Sequence, residues 1–299
     1  MHRIAYLLNL SDTRVSRGDF KMLRILTDTS AGFTYEDVAK IGVEMVSLVI
    51  TFDDGEYLDG KNLSTEEFYA KQKASKTFPK TAAANQESFE EVFRDVKEKG
   101  DEMIVITISK ELSLTHDQAL KAKKEVGYDK IDIIDSMAVA LPLIALVKEA
   151  VRMRDEKVST DKIVAEITAL VPKVRLFAYV DTLKYLKAGG RLGAVSALVG
   201  SILGVKPIMT VIDGKVASKQ KVLGLKKAQE ALITKLGGEE VDLSRPVYFG
   251  HTNAHEECEK FKAKAKERYE FKDGGTWYIC ATVAVHAGPG AAGITFFTK

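Results

Sequence analysis

Apolar runs in the first half of the chain alternate with polar turns and amphipathic stretches in the order strand, turn, helix. Strands are predicted at four apolar runs, 24–28, 43–51, 103–108 and 130–134. Helices are predicted after the capping boxes at Ser64 and Ser88, at 115–126, and in a long segment that follows Ser136. Strands joined by helices form right-handed crossovers in a parallel sheet. This half therefore predicts a doubly wound α/β domain with helices on both faces.

The second half mixes hairpins with helices. The stretch 152–160 is charged and predicts a linker or the end of the first domain. A hairpin is predicted around Asp213-Gly214, a small-residue helix at 194–203, and two final strands on either side of the turn Gly288-Pro-Gly290. We therefore expect an α+β domain with a largely antiparallel sheet.

The 299 residues are enough for two domains, predicted at 1–155, with an extension at 1–23, and at 156–299. Lys and Arg number 44 against 42 Asp and Glu, and the signs are interspersed, which argues against nucleic-acid binding. The longest apolar segment, 137–147, is shorter than the roughly 20 residues that span a bilayer. The apolar run at 4–10 has no cleavage site of a secretory signal.

The two cysteines, Cys258 and Cys280, lack the close spacing of a metal or redox motif. We therefore expect free thiols in a reducing cytoplasm.

Three polar turns follow the predicted strands of the first domain: Asp28-Thr29-Ser30, 109–115 and Asp135-Ser136. Any one of these turns taken alone is better explained as an ordinary helix cap, but ligands bind at the carboxyl ends of parallel strands, and all three turns are predicted at that edge. Thr81 lies in a predicted loop, 77–85, and the three alanines that follow it carry no side-chain donor. That loop could cover a ligand or simply lead into the next helix.

His286 is predicted to end an apolar strand before the turn Gly288-Pro-Gly290. Desolvation favours a neutral imidazole, which can donate one hydrogen bond and accept another. The ring could contact a ligand that approaches the backbone at this turn, or it could be a core histidine bonded to a carbonyl.

None of the familiar catalytic motifs is present: no nucleophile elbow, no Walker loop and no dinucleotide fingerprint. His251 and His255 offer only two converging nitrogens, so we interpret them as a solvated helix start and predict no metal site. The sequence Gly189-Gly190-Arg191 could present a guanidinium to an anion or a partner, or could cap a helix.

Seven motifs occur in a specific order, and through them the chain resembles the DegV family of bacterial fatty-acid-binding proteins. They are Ile25-Leu-Thr-Asp-Thr-Ser30, Pro79-Lys-Thr81, Ile108-Ser-Lys-Glu-Leu-Ser-Leu-Thr115, Ile134-Asp-Ser136, Asp181-Thr-Leu-Lys-Tyr-Leu-Lys-Ala-Gly-Gly-Arg191, Lys206-Pro-Ile208 with Asp213-Gly-Lys215, and His286-Ala-Gly-Pro-Gly290.

The resemblance implies a carrier that encloses one long-chain fatty acid, needs no other cofactor, and presents the carboxylate to a separate fatty acid kinase. Transient membrane contact is compatible with such a role. The family's carboxylate ligands match Thr81, His286 and Ser113, with Ser109 as the competing serine. The remaining candidate ligand-binding residues lie in the family motifs: Thr29, Arg191 and Gly288.

The chain departs from the family pattern at three places. Ala82-Ala-Ala-Asn85 replaces Ser-Gln-Pro-Ser after the threonine, Leu114 replaces a glycine, and Leu223 stands where an arginine is frequent. The last difference bears on kinase docking. Two rival hypotheses remain: a hydrolase or transferase for a small acyl or phosphorylated substrate, with Ser113 as nucleophile and His286 as base, and a regulatory module that binds a protein through 189–191.

Overall fold

The computed structural model describes residues 22–191 and 204–299. The helix predicted at 194–203 and residues 1–21 of the predicted extension lie outside this part of the chain.

Elements are numbered in chain order within the described residues. The strands are β1 (Leu23–Asp28), β2 (Glu44–Val46), β3 (Val49–Phe52), β4 (Gly55–Leu58), β5 (Lys80–Ala82), β6 (Glu102–Thr107), β7 (Ile131–Asp135), β8 (Val174–Tyr179), β9 (Val205–Ile212), β10 (Lys215–Leu223), β11 (Val247–His251), β12 (Asp273–Tyr278) and β13 (Ala292–Phe297). The helices are α1 (Tyr35–Lys40), α2 (Thr65–Ala74), α3 (Gln86–Lys99), α4 (Thr115–Val126), α5 (Leu141–Asp155), α6 (Thr160–Leu170), α7 (Lys184–Ala188), α8 (Leu225–Ile233), α9 (His255–Arg268) and α10 (Ala281–Ala287).

A parallel sheet with the strand order β2-β1-β6-β7 forms the core of the first half. Phe89 and Phe93 of α3 pack with α4 on one face, and α5 and α6 cover the other. The predicted α/β fold with helices on both faces is confirmed.

The apolar run at 43–51, predicted as one strand, is two strands in different sheets. β2 ends at Val46, and β3 begins at Val49 in a small antiparallel sheet of order β4-β3-β5. The break lies where the backbone N–H of Leu48 donates to the Thr29 hydroxyl, 3.0 Å away. A continuous apolar run carries no local sign of such a change of partner, which is why the prediction was wrong.

Two further predictions around the small sheet need correction. Residues 77–85 are not only a loop, because β5 lies within them and Thr81 pairs with Ile50. α3 begins one turn earlier than expected, since Asn85 rather than Ser88 accepts the capping hydrogen bond, from the Ser88 N–H. Both Asn and Ser are good N-caps, so the sequence alone did not distinguish them.

The second half is built on a sheet of order β10-β9-β8-β13-β11-β12, antiparallel except for the parallel pair β11 and β12. The largely antiparallel sheet is therefore confirmed. The hairpin between β9 and β10 turns at Asp213 and Gly214, whose φ angles of 49° and 75° suit a tight two-residue turn.

α5 lies between the parallel sheet and the large antiparallel sheet. Most of its residues from Leu141 to Met153 are buried, because it packs against strands of both halves. The stretch 152–160, predicted as a linker or the end of the first domain, contains the end of α5 and the start of α6, and residues 156–159 connect the two helices. No helix within the described residues combines the length and apolar character needed to cross a bilayer. The division between two domains at 155 stays a prediction.

The segment before Gly288 is a helix and not the predicted strand. α10 packs Ala281, Ala284 and Val285 onto the small sheet, in a cluster with Ile50 and Phe68. The apolar run is too short for its periodicity to separate helix from strand, and the neighbouring turn favoured the wrong choice.

Candidate functional site

An apolar cavity of about 420 Å³ lies between the small sheet, the carboxyl ends of the parallel strands and one face of the large sheet. This volume falls within the roughly 300–1,000 Å³ of small-molecule pockets. Part of its floor is a row of paired residues on neighbouring strands that all line the cavity: Gly250, Gly293, Ala178 and Met209. Small side chains in the middle of the sheet leave room there for a ligand.

Thr81 and His286 meet at one end of the cavity, although 205 positions separate them in sequence. β5 carries Thr81 and the last turn of α10 carries His286, and the Thr81 Oγ1 and His286 Nε2 atoms are 2.9 Å apart. The His286 Nδ1 atom is buried and has no hydrogen-bond partner among the described residues. Burial and, secondarily, the charge of Arg191 lower the pKa of His286 to about 4. The imidazole is therefore neutral near pH 7.

The segment 189–191 packs directly against this histidine. A methyl group on Gly189 would lie 2.0 Å from the His286 Nδ1 atom, so only glycine fits beside the ring. Arg191 is exposed at the cavity wall, and its guanidinium donates to the carbonyls of Gly189, at 2.8 Å, and Leu112, at 3.3 Å. The motif thus holds the imidazole and brings a positive charge near it.

The two candidate serines have different roles. Ser113 lines the cavity, and its hydroxyl shares a hydrogen bond of 2.9 Å with Thr115. Ser109 is buried, and its hydroxyl donates to the carbonyl of Gly214 at the tip of the β9–β10 hairpin, at 2.9 Å. The Ser109 hydroxyl is therefore occupied by a contact between the two halves of the chain.

Thr29 and Gly288 lie close to the site without lining the cavity. The Thr29 hydroxyl accepts the Leu48 N–H, as described above. Gly288 has a φ of 73° and lies against Tyr185, whose ring would be 2.2 Å from a methyl group at this position. Both residues fix the local backbone.

In the polar turn after β1, the Ser30 N–H is already bonded within the protein. The buried Asp28 carboxylate accepts from the backbone N–H of Ser30, at 3.0 Å, and of Ile108, at 2.8 Å. These groups lie between β1 and β6, where the strand order reverses and parallel sheets commonly bind anions. The Asp28 side chain therefore occupies the position where an anionic ligand would otherwise bind.

His251, interpreted from the sequence as part of a solvated helix start, lines the cavity and is buried. Its Nε2 atom is 3.2 Å from the Nδ1 atom of His255, and its own Nδ1 accepts from the Ala254 N–H. Burial and then the neighbouring His255 lower the pKa of His251 to about 4. The position of His251 at the end of the buried strand β11 was the signal that could have identified it. Clusters of three or more metal-binding side chains are absent from the described residues.

Ser113 and His286 do not form a hydrogen-bonded pair of nucleophile and base. The Ser113 hydroxyl is bonded to Thr115, whereas His286 is bonded to Thr81. No acid orients the His286 Nδ1 atom within the described part of the chain. An activated serine requires both contacts, so this geometry gives no support to the hydrolase hypothesis.

Comparisons with known proteins agree with this architecture. A family model described as an uncharacterised protein of the DegV family matches residues 22–299. A DegV domain-containing protein of Caldanaerobacter subterraneus subsp. tengcongensis is 32% identical over 278 residues, which cover 93% of this chain and 99% of that protein.

Two solved structures are also similar. One is a DegV family protein of Thermus thermophilus that is described as binding a fatty acid. Its TM-score is 0.86 at 24% identity, and the match covers 93% of this chain and 100% of that protein. A stearic acid-binding protein of Eubacterium ventriosum has a TM-score of 0.85 at 27% identity, with coverages of 93% and 99%. Both of these solved proteins are described as binding a fatty acid.

Proposed function

The chain belongs to the DegV family, and from that premise we propose that it binds one long-chain fatty acid in the cavity between its parallel and antiparallel sheets. The observation that carries this proposal is an apolar cavity with a polar end, where Thr81 and His286 are already joined. Such a cavity suits a molecule with one polar head and a long apolar chain.

The apolar walls account for affinity. Each buried methylene contributes about 0.8 kcal/mol, so a chain of some sixteen carbons needs few polar contacts to bind tightly. The head group has a different requirement, because an unpaired carboxylate in an apolar cavity is very costly. The polar end must supply its hydrogen bonds.

Thr81, Ser113 and His286 are the proposed carboxylate-binding residues. We place the imidazole proton on Nε2, because the other tautomer would bury an N–H at Nδ1 without an acceptor. Nε2 donates to the Thr81 hydroxyl in the ligand-free protein. On binding, this N–H and the threonine hydroxyl are the donors that we propose for the carboxylate. The guanidinium of Arg191 supplies the positive charge, since His286 is neutral.

The exposed position of Arg191 supports the second half of the proposal, that the bound carboxylate is presented to a fatty acid kinase for acyl-phosphate formation. Catalysis would belong to that partner. Exposed Leu114, also on the cavity wall, is compatible with transient contact with a membrane when the fatty acid enters.

The test is native mass spectrometry of the purified protein, followed by titration of the delipidated protein with stearic acid. We expect one fatty acid per chain. Ser113→Ala should weaken binding by about tenfold or more, as expected for the loss of one hydrogen bond to a charged group. Ser109→Ala, the matched control, should leave the affinity within about twofold because its hydroxyl is bonded to Gly214. A protein that stays empty when offered saturated and unsaturated acids would refute the proposal.

A further inference from the structure

Two polar contacts hold α10 against the small sheet, one at each end of the helix. At the C-terminal end, His286 is bonded to Thr81 of β5. At the N-terminal end, the Thr282 N–H donates to the carboxylate of Asp59, 2.8 Å away. Asp59 directly follows β4, so one sheet of three short strands supplies both partners.

The Asp59 side chain caps the N-terminus of α10, a role that the residue at the N-cap position normally has. Cys280, the residue at the N-cap position, makes no capping hydrogen bond with its side chain. The first N–H groups of a helix have no partner within it, and leaving one buried and unpaired costs stability. The Asp59 carboxylate, from a segment more than 200 residues earlier, satisfies this requirement.

Asp59 is itself held firmly. It is buried, with 3% of its surface exposed. Its N–H donates to the Leu48 carbonyl at 3.0 Å, and its carbonyl accepts the Ser47 hydroxyl at 2.9 Å. The carboxylate therefore has a fixed position relative to β3, the central strand of the small sheet.

The geometry connects Asp59 to the head-group end of the cavity. Thr282 and His286 are four positions apart, so they lie on one face of α10, about 6 Å apart along its axis. Val49 pairs with Leu58 on one side and Ala82 on the other, which places Asp59 and Thr81 on opposite edges of the sheet, about 12 Å apart. The two side chains thus fix the position and rotation of a helix only seven residues long.

From this arrangement we infer that Asp59 is a positioning residue for His286: by capping α10 it sets the imidazole at the distance and angle at which it bonds Thr81. Asp59 does not line the cavity, so it would act on a ligand only through α10. Its role in fatty acid binding rests on the function proposed above, whereas its effect on the imidazole does not.

The experiment compares Asp59→Ala with Asp59→Asn in delipidated protein. Asparagine keeps an acceptor oxygen for the Thr282 N–H, and alanine removes it. Thr34→Ala is the matched control, because Thr34 caps α1 through its own side chain and does not line the cavity. The readouts are the imidazole resonances of His286 in NMR spectra of the ligand-free protein and the affinity for stearic acid.

We expect Asp59→Ala to shift the His286 resonances and to weaken stearic acid binding at least about fivefold, the effect of losing one cap. Asp59→Asn should restore both, and Thr34→Ala should leave both unchanged. If Asp59→Ala does not fold, Asp59→Glu replaces it, because its extra methylene displaces the helix start and should move the same resonances. Unchanged His286 resonances in the folded alanine or glutamate variant would overturn the inference.

Failure of the proposed fatty acid binding would give a different experimental result from failure of the role inferred for Asp59. If the wild-type protein bound no stearic acid, the fatty acid proposal would fall, but the His286 resonances of the ligand-free variants would still decide the role of Asp59.

Discussion

At the scale of single residues, the site depends on burying a neutral histidine. The ordinary pKa of a histidine is about 6.5, and burial beside Arg191 lowers the pKa of His286 to about 4. Between these values the unfolded chain binds a proton at this position and the folded protein does not. The contribution of His286 to the free energy of unfolding is therefore fully present above about pH 6.5 and is lost as the pH falls toward 4.

We predict that replacing His286 with glutamine, which can still bond Thr81 but does not titrate, makes the protein less sensitive to acid. Between pH 7.5 and 5 the free energy of unfolding of the wild type should fall by about 1–2 kcal/mol more than that of His286→Gln. Urea unfolding at a series of pH values measures this difference. The buried Asp28 and Asp59, whose pKa values burial raises, act in the opposite direction but equally in both proteins. Parallel pH profiles would contradict the prediction.

At the scale of elements, the segment after α7 needs glycine at two adjacent positions, for two different steric reasons. Gly189 has an ordinary φ of −80°, so its need for glycine comes from the imidazole beside it. Gly190 has a φ of 69° and open space around it, so its need for glycine comes from the backbone alone. Adjacent glycines thus serve different purposes, one for the site and one for the turn.

This contrast gives a prediction. Gly189→Ala should displace the His286 ring, break its bond with Thr81 and weaken stearic acid binding about five- to tenfold. Gly190→Ala should cost about 1 kcal/mol of stability through left-handed strain and leave the affinity nearly unchanged. Thermal unfolding and ligand titration of both variants separate the two effects. Equal losses of affinity would show that the turn, not the imidazole contact, matters.

Elements could be predicted from the sequence where their signals are local, and not where a distant segment decides their structure. The hairpin at Asp213-Gly214 and the helix at 115–126 were predicted correctly, because turn residues and helical periodicity are local signals. The run at 43–51 and the segment before Gly288 were predicted wrongly, because partners distant in sequence decide their structure. The bond between Thr81 and His286 is of the same kind. Residue types alone left both roles open, and only the family pattern placed them together.

At the scale of the whole molecule, the two halves share one interior. Ile25 of the parallel sheet and Phe297 of the large sheet belong to a single apolar cluster that is centred on α5. Near the cavity the halves also meet through polar contacts, among them Ser109 with Gly214 and Arg191 with Leu112. A ligand between the sheets would therefore contact both halves at once.

We predict that the delipidated protein unfolds in a single thermal transition and that stearic acid moves the whole transition upward. At a free concentration of one hundred times Kd, binding to the folded state alone adds about 2.7 kcal/mol, which corresponds to roughly 4–5 °C for a chain of this size. Differential scanning calorimetry measures both features, and myristic acid at the same concentration provides a comparison with four fewer methylenes to bury. Two separate transitions, of which stearic acid moves only one, would mean that the halves unfold independently and that one of them alone holds the fatty acid.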